Sequence, residues 1–321
     1  MPTTNAFVLA LAAGLISAVV FASATAGPMA LRLALYFLTP LSLYLAGLGL
    51  GVAAVGIAAI VATILIMLLS NPITAGAYAI SAAVPAVVCT RLALLNRVNG
   101  DEREWYPIGR VVTAAAVFGG VFACLLLLLM GGDVDALTKM MRTAIDTFVK
   151  SEIAGLPGAP AMTEDQIDEL ARATLKSLPW ALGGIAMAMI LFNLWLAGRI
   201  THASGRLQRP WPDLPSFTLP SAATFALCVA TALAFLGGMP GLVAGGFAAP
   251  FYIAFALVGL ALIHTTTRGS SWRPFALSAL YGSLLIFTAG FMLMLAIAGL
   301  IETVIGYRQI RNRTRQNNSD E

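Results

Sequence analysis

Charge is scarce in this chain: 11% of its 321 residues are Asp, Glu, Lys or Arg, against 59% that are hydrophobic. Soluble domains carry about 25% charge, so a water-facing surface cannot be built over a fold of this size. Histidine is nearly missing as well, with only His202 and His264, which excludes a site that needs several imidazoles from one chain. The three cysteines, Cys89, Cys124 and Cys228, fall inside apolar stretches without CxxC or metal-ligand spacing, and they read as small packing residues. Neither an HExxH nor a GxSxG string occurs. No Asp, Glu, Lys or His falls at mid-helix depth; Arg32, Arg91, Arg110, Glu302 and His264 sit near predicted helix ends. Ion-coupled carriers and intramembrane proteases place ionisable groups inside the bilayer, so their shortage argues against both. An enzyme is not expected, and neither a metal nor a cofactor.

What the chain does have is apolar blocks long enough to cross a bilayer, which takes roughly 20 residues per helix. The expected fold is an all-α polytopic bundle of about nine spans, within a range of eight to ten. The first block covers residues 5–26. Because Met1 to Asn5 carries no Lys or Arg, it reads as a retained helix rather than a cleaved signal. Residues 29–69 suit two spans broken near Gly47, Gly49 and Gly51, and Asn71-Pro72 opens a fourth that ends near Leu95. The fifth covers 108–130, the sixth 179–200, the seventh 220–238 and the eighth 242–264. The last block, 274–306, is long for one span and short for two. A hairpin near Thr288-Ala289-Gly290 is favoured, because it returns Arg308, Arg311, Arg313 and Arg315 to the side of the other arginines. The organisation is then a membrane half at 1–130, an insertion at 131–178, a second membrane half at 179–306 and an Arg-rich tail at 307–321.

The arginines of the loops after the fourth, sixth and eighth spans are Arg91, Arg97, Arg103, Arg110, then Arg199, Arg206, Arg209, then Arg268 and Arg273. Alternate loops share one side, so these mark the cytoplasm and place the N-terminus there, in a bacterial inner membrane. The bilayer is the expected partner, and nucleic acid is not. The insertion holds eight acidic and five basic residues and suits the outer side. Val134, Leu137, Met141, Ile145 and Phe148 recur there at helical spacing. After a breaker at residues 155–160, Thr163 and Gln166 mark a second helix start, with Met162 placed to staple onto Ile167. Two amphipathic helices on the outer face follow, as a cap or as a lid over a substrate entrance.

Uncharged polar and aromatic groups remain as candidates for a ligand pocket: Asn193 with Trp195, and Asn71, Tyr78, Tyr252 and Tyr281 in or beside other spans. The bland reading of each is interhelical hydrogen bonding. Pro40, Pro85 and Pro250 can kink their spans. On the first helix Ala6, Ala10, Gly14, Ala18, Ala22 and Ala26 form a small-residue ladder, which suits close packing within the chain or against a partner subunit. Residues 204–214 make a stiff loop rich in Pro and Arg; its Arg206, Arg209 and Trp211 suit an orientation anchor or a docking surface.

Residues 193–214 resemble a stretch of the alphaproteobacterial YybS-like membrane proteins, a family of unknown function. Glu104-Trp105-Tyr106-Pro107, His264 with Arg268-Gly269, and Gly299-Leu300-Ile301-Glu302 followed by Arg308 are similar too, although Asp often stands where this chain has Glu302. The resemblance covers most of the chain. It implies distant kinship with the substrate-binding subunits of energy-coupling-factor vitamin transporters. The first-helix ladder would then meet a transmembrane partner, beside an ATPase. Those subunits are shorter, with about six helices, and lack the outer insertion. Two functions stay open: a substrate-binding or permease-like subunit for a small, mostly uncharged metabolite, energised by a partner, and a membrane scaffold that recruits envelope or cytoplasmic proteins.

Overall fold

A backbone in lipid has to satisfy its own hydrogen bonds, and each apolar block does so as a helix. The computed structural model describes residues 4–153, 162–306 and 308. In chain order the elements are α1 (Thr4–Ser23), α2 (Met29–Leu38), α3 (Leu41–Leu50), α4 (Val52–Leu69), α5 (Pro72–Tyr78) and α6 (Val84–Leu94). An antiparallel hairpin, β1 (Asn96–Asn99) and β2 (Glu102–Trp105), leads into α7 (Ile108–Leu129) and α8 (Val134–Phe148). Then come α9 (Glu164–Ala203), α10 (Ser221–Ala234), α11 (Gly238–Thr266), α12 (Arg273–Ile286) and α13 (Thr288–Ile305). Eight stretches among the described residues are long and apolar enough to span a membrane, with α2–α3 and α5–α6 each counting as one. The protein is therefore an all-α polytopic bundle. Helices α10 and α12, with 14 residues each, are shorter return strokes.

Side-chain bonds fix the directions. Ser17 donates to the Thr39 carbonyl (2.8 Å) and Ser42 to that of Ala13 (2.9 Å), so α1 runs antiparallel to α2–α3. The Gln208 amide reaches Gly49 O (3.3 Å) and Arg209 reaches Ala93 O (2.8 Å). These bonds bring the C-terminal ends of α3 and α6 to the loop after α9. Thr265 and Arg308 both donate to Pro215 O, which brings the ends of α11 and α13 to the same loop. One face thus collects the arginines from 91 to 110, from 199 to 209 and from 268 to 308, and is called the basic face below. The opposite, acidic face carries α8 and the start of α9, with Asp133, Asp135, Glu164, Asp165, Asp168 and Glu169.

The last apolar block is a hairpin. Gly259 of α11 and Gly299 of α13 cross so closely that a Cβ on Gly299 would meet Phe255 O and one on Gly259 would meet Leu295 O. The direction of the pair comes from its ends, since Thr265 of α11 and Arg308 beyond α13 both donate to Pro215 O, which makes the two helices parallel. With α11 and α13 both ending at Pro215, residue 288 lies about 27 Å away towards the acidic face. Only α12 can carry the chain there, and the reversal falls at Phe287 (φ −119°, ψ 44°) rather than at Thr288 to Gly290.

Two other boundaries differ from expectation. Of the three glycines in the second block, Gly51 alone makes the turn, at φ 103°, where a side chain would be strained. Gly47 lies inside α3, close against Thr90. The second outer helix and the sixth span are one 40-residue helix, α9, that passes straight through Pro179, so no break falls at 178/179. Thr163 and Gln166 cap its start reciprocally (3.3 and 2.9 Å), and Arg142 of α8 pairs with Asp168 (2.7 Å) and with Glu164. The breaker at 155–160 and Arg311, Arg313 and Arg315 lie outside the described residues.

Candidate functional site

Near the basic face the C-terminal ends of α9 and α11 and the first turns of α7 do not close on one another. They leave a half-open cavity of about 710 Å³, within the roughly 300–1,000 Å³ that small-molecule pockets occupy. From α9 come Leu191, Phe192, Trp195 and Gly198, and from α11 come Leu257, Ala261 and His264. Leu191, Trp195 and Gly198, like Leu257, Ala261 and His264, recur every three or four residues, so each helix gives one stripe. Ile108, Val111 and Val112 of α7 form a third wall, and Tyr281 of α12 closes one edge, bonded to His264 (2.9 Å). The lining is almost wholly apolar.

The loop after α9 is the cavity's floor on the basic face, and it is fastened at every corner. Arg209 bonds Ala93 O and lies 5.5 Å over the Trp105 ring. Burial pulls its guanidinium below its usual pKa, although arginine starts so high that the charge persists. Trp211 packs on His202 and carries Arg199 at 5.3 Å over its ring. Asp213 pairs with Arg268 (3.2 Å). At the far end Arg308 enters from beyond α13. It is buried with Glu302 (2.8 Å) and also donates to Pro215 O and Phe217 O. Gly306, in the left-handed region at φ 68°, turns the chain so that Arg308 comes back onto Glu302.

Of the residues expected to bind a ligand, the cavity brings together Trp195 and Tyr281, and with them Arg209 and Trp211 from the loop. Asn193 is fully buried and away from it, donating to Phe37 O (2.7 Å) and Met189 O (2.8 Å). The backbone ladder breaks between α2 and α3 at Pro40, and Asn193 donates to a carbonyl in the last turn of α2 beside that break. Tyr78 is buried against Ser17 (2.7 Å), Tyr252 stacks on Trp180, and Asn71 caps α5 on the acidic face. These three do not meet one another or the cavity. On α1, Ala10, Gly14 and Ala18 are buried within the chain, where a Cβ on Gly14 would touch Ala58 O of α4 at 2.5 Å; Ala22 is exposed. Arg206 is exposed on the loop. No cluster that could hold a metal ion occurs among the described residues.

Sequence reasoning did not select Phe192, Gly198, Leu257 or Phe217 as cavity residues. The helical spacing of the α9 and α11 stripes is visible in the sequence, but a stripe facing lipid has the same spacing, and Phe217 lies on a loop with no periodicity to mark it.

The fold and cavity define a multi-pass membrane protein with an apolar recess near one membrane edge. Residues 14–303 match the family described as "Predicted membrane protein (DUF2232)", and the chain belongs to that family. No curated protein and no solved structure matches it.

Proposed function

We propose that this protein is a substrate-binding or permease-like subunit of a bacterial inner membrane, holding a small, mostly uncharged molecule in the basic-face cavity and energised by a partner. The observation that carries this reading is the cavity itself. A bundle that served only as a scaffold would close its helices there, because an unfilled recess forfeits packing contacts. The loop supports it as well: Arg209 and Trp211 are turned into the fold as a floor, which leaves Arg206 as its outward group.

Charge placement supports coupling to a partner. Among the described residues the one buried ion pair is Glu302–Arg308, at the basic edge and already mutually bonded. An ion-driven carrier would hold such groups near the midplane. By the positive-inside tendency the basic face is cytoplasmic, with the N-terminus on that side. Resemblance to the YybS-like proteins and, more distantly, to energy-coupling-factor binding subunits points the same way.

Purification of the tagged full chain in mild detergent, with mass spectrometry of everything bound, tests the proposal. Stoichiometric recovery of an ATPase and a second membrane subunit is the expected result. Recovery of envelope or cytoplasmic proteins without an ATPase would replace it with the scaffold reading.

A further inference from the structure

We infer that the cavity takes an anionic amphiphile, an apolar chain bearing one phosphate-like head, which enters sideways from the leaflet on the basic face. The inference rests on the cavity being a ligand site and narrows its ligand from a small, mostly uncharged molecule to one uncharged along its chain and anionic at a single head.

Depth is the first argument. Leu191 lies twelve residues before the end of α9 at Ala203, so the cavity reaches about 18 Å inward from that end. That is roughly half of a 30 Å hydrocarbon core, the thickness of one leaflet. Access is the second. Three aromatic residues of the lining, Phe192, Trp195 and Tyr281, stay 40%, 47% and 48% exposed, at a height where their surroundings are lipid. The side of the cavity that these residues of α9 and α12 line therefore faces acyl chains. A compact polar metabolite would arrive from water and would need several directional partners in the wall, which the lining does not offer. An acyl or isoprenoid chain needs none.

Charge is the third argument. The cation of the lining is Arg209, at the membrane edge. Its Nη1 donates to Ala93 O, while its buried Nε meets no acceptor among the described residues. A guanidinium has five N–H donors suited to a phosphate or carboxylate fork, so the protein leaves part of that capacity open. Arg199, stacked on Trp211 of the same floor, adds a second positive charge. A head at Arg209 with its tail along Leu191 and Leu257 would leave the apolar wall covered and the charge matched.

The test is equilibrium binding to the full chain in nanodiscs of zwitterionic phosphatidylcholine. The probes are a monoacylglycerol phosphate, the neutral monoacylglycerol of equal chain length, and a naphthalene-sized neutral solute. The phosphate probe is expected to bind at least tenfold more tightly than its neutral counterpart, with Arg209→Gln removing that preference. Gly198→Leu, whose side chain would project beside Trp211 into the cavity, is expected to abolish binding of both, with thermal melting reporting the fold. If Arg209→Gln does not fold, salt takes its place: a preference that shrinks as salt rises supports the inference, and equal binding at every salt overturns it. Equal affinity for both acyl probes, unchanged in Arg209→Gln, also overturns it. Binding of the naphthalene-sized solute alone, lost in Gly198→Leu, overturns the amphiphile and keeps the cavity as a ligand site. Binding of no probe sinks both readings.

Discussion

A polar side chain inside a lipid-embedded bundle has few partners to choose from, and which one it finds decides its role. Asn193 finds Phe37 O, on a helix 156 residues earlier in the chain. The sequence displays the amide and the proline at position 40, but not that the two are neighbours, so structural glue and ligand contact looked alike. With the partner known, Asn193→Ala is expected to cost about 1 kcal/mol, the usual scale of an interhelical hydrogen bond in a membrane, and to leave ligand affinity unchanged. Thermal unfolding in detergent beside a binding curve checks this; lost affinity at unchanged stability would return Asn193 to the list of ligand contacts. Glu302 presents the opposite case. Glu302→Ala strands the buried Arg308 charge, and a loss of about 3–5 kcal/mol is expected, with the loop floor loosened because Arg308 also holds Pro215 and Phe217. Faster proteolysis between residues 204 and 217 would report the loosening. If Glu302→Ala melts as the parent does, the pair does not fasten the loop.

Elements were legible wherever apolar length alone decided them. Blocks near 20 residues, such as α1, α4 and α7, appear within a few residues of their expected ends. Where two elements abut without a breaker, length misleads. Helix α9 shows this for an amphipathic segment joined to a span: Pro179 looked like a start, but it sits inside a helix already capped at Thr163. The α12–α13 hairpin shows it for two spans, because its turn is made by Phe287 between Ile286 and Thr288, none of them a turn residue by type. The Arg-rich tail suggested the reversal, and the anchoring of both α11 and Arg308 at Pro215 O requires it. The consequence is topological. A cysteine placed by Ser271→Cys, before α12, and one placed by Gly290→Cys, in the first turn of α13, are expected on opposite membrane faces. A membrane-impermeant maleimide applied to sealed vesicles of each orientation reads this out. Labelling of both from one side would mean that α12 lies along the surface instead of crossing.

At the scale of the whole molecule, two features set the function apart from the fold: charge divided between faces, and a recess placed against one of them. The division was legible because it needs only a count of arginines in alternate loops. The recess was not, since it arises where α7, α9 and α11 fail to close, and no single helix encodes a gap among three. Orientation links the two features, for it decides which leaflet the cavity opens to. The hairpin turn at Gly100 lies on the basic face between Arg97 and Arg103, and Gly132 lies on the acidic face beside Asp133. Neither glycine is packed against another helix, and both have positive φ, which marks tight turns at which an insertion does least damage. Alkaline phosphatase, active only outside the cytoplasm, is therefore expected to be active when inserted after Gly132 and silent after Gly100, with a fluorescent protein giving the reverse. Neutralising Arg97 and Arg103 together is expected to weaken that contrast without inverting it, because Arg206, Arg209, Arg268 and Arg273 remain on the same face. Active phosphatase after Gly100 would turn the molecule over. The cavity would then draw from the outer leaflet, and an energising ATPase would meet α8 and the start of α9 instead of the arginine face.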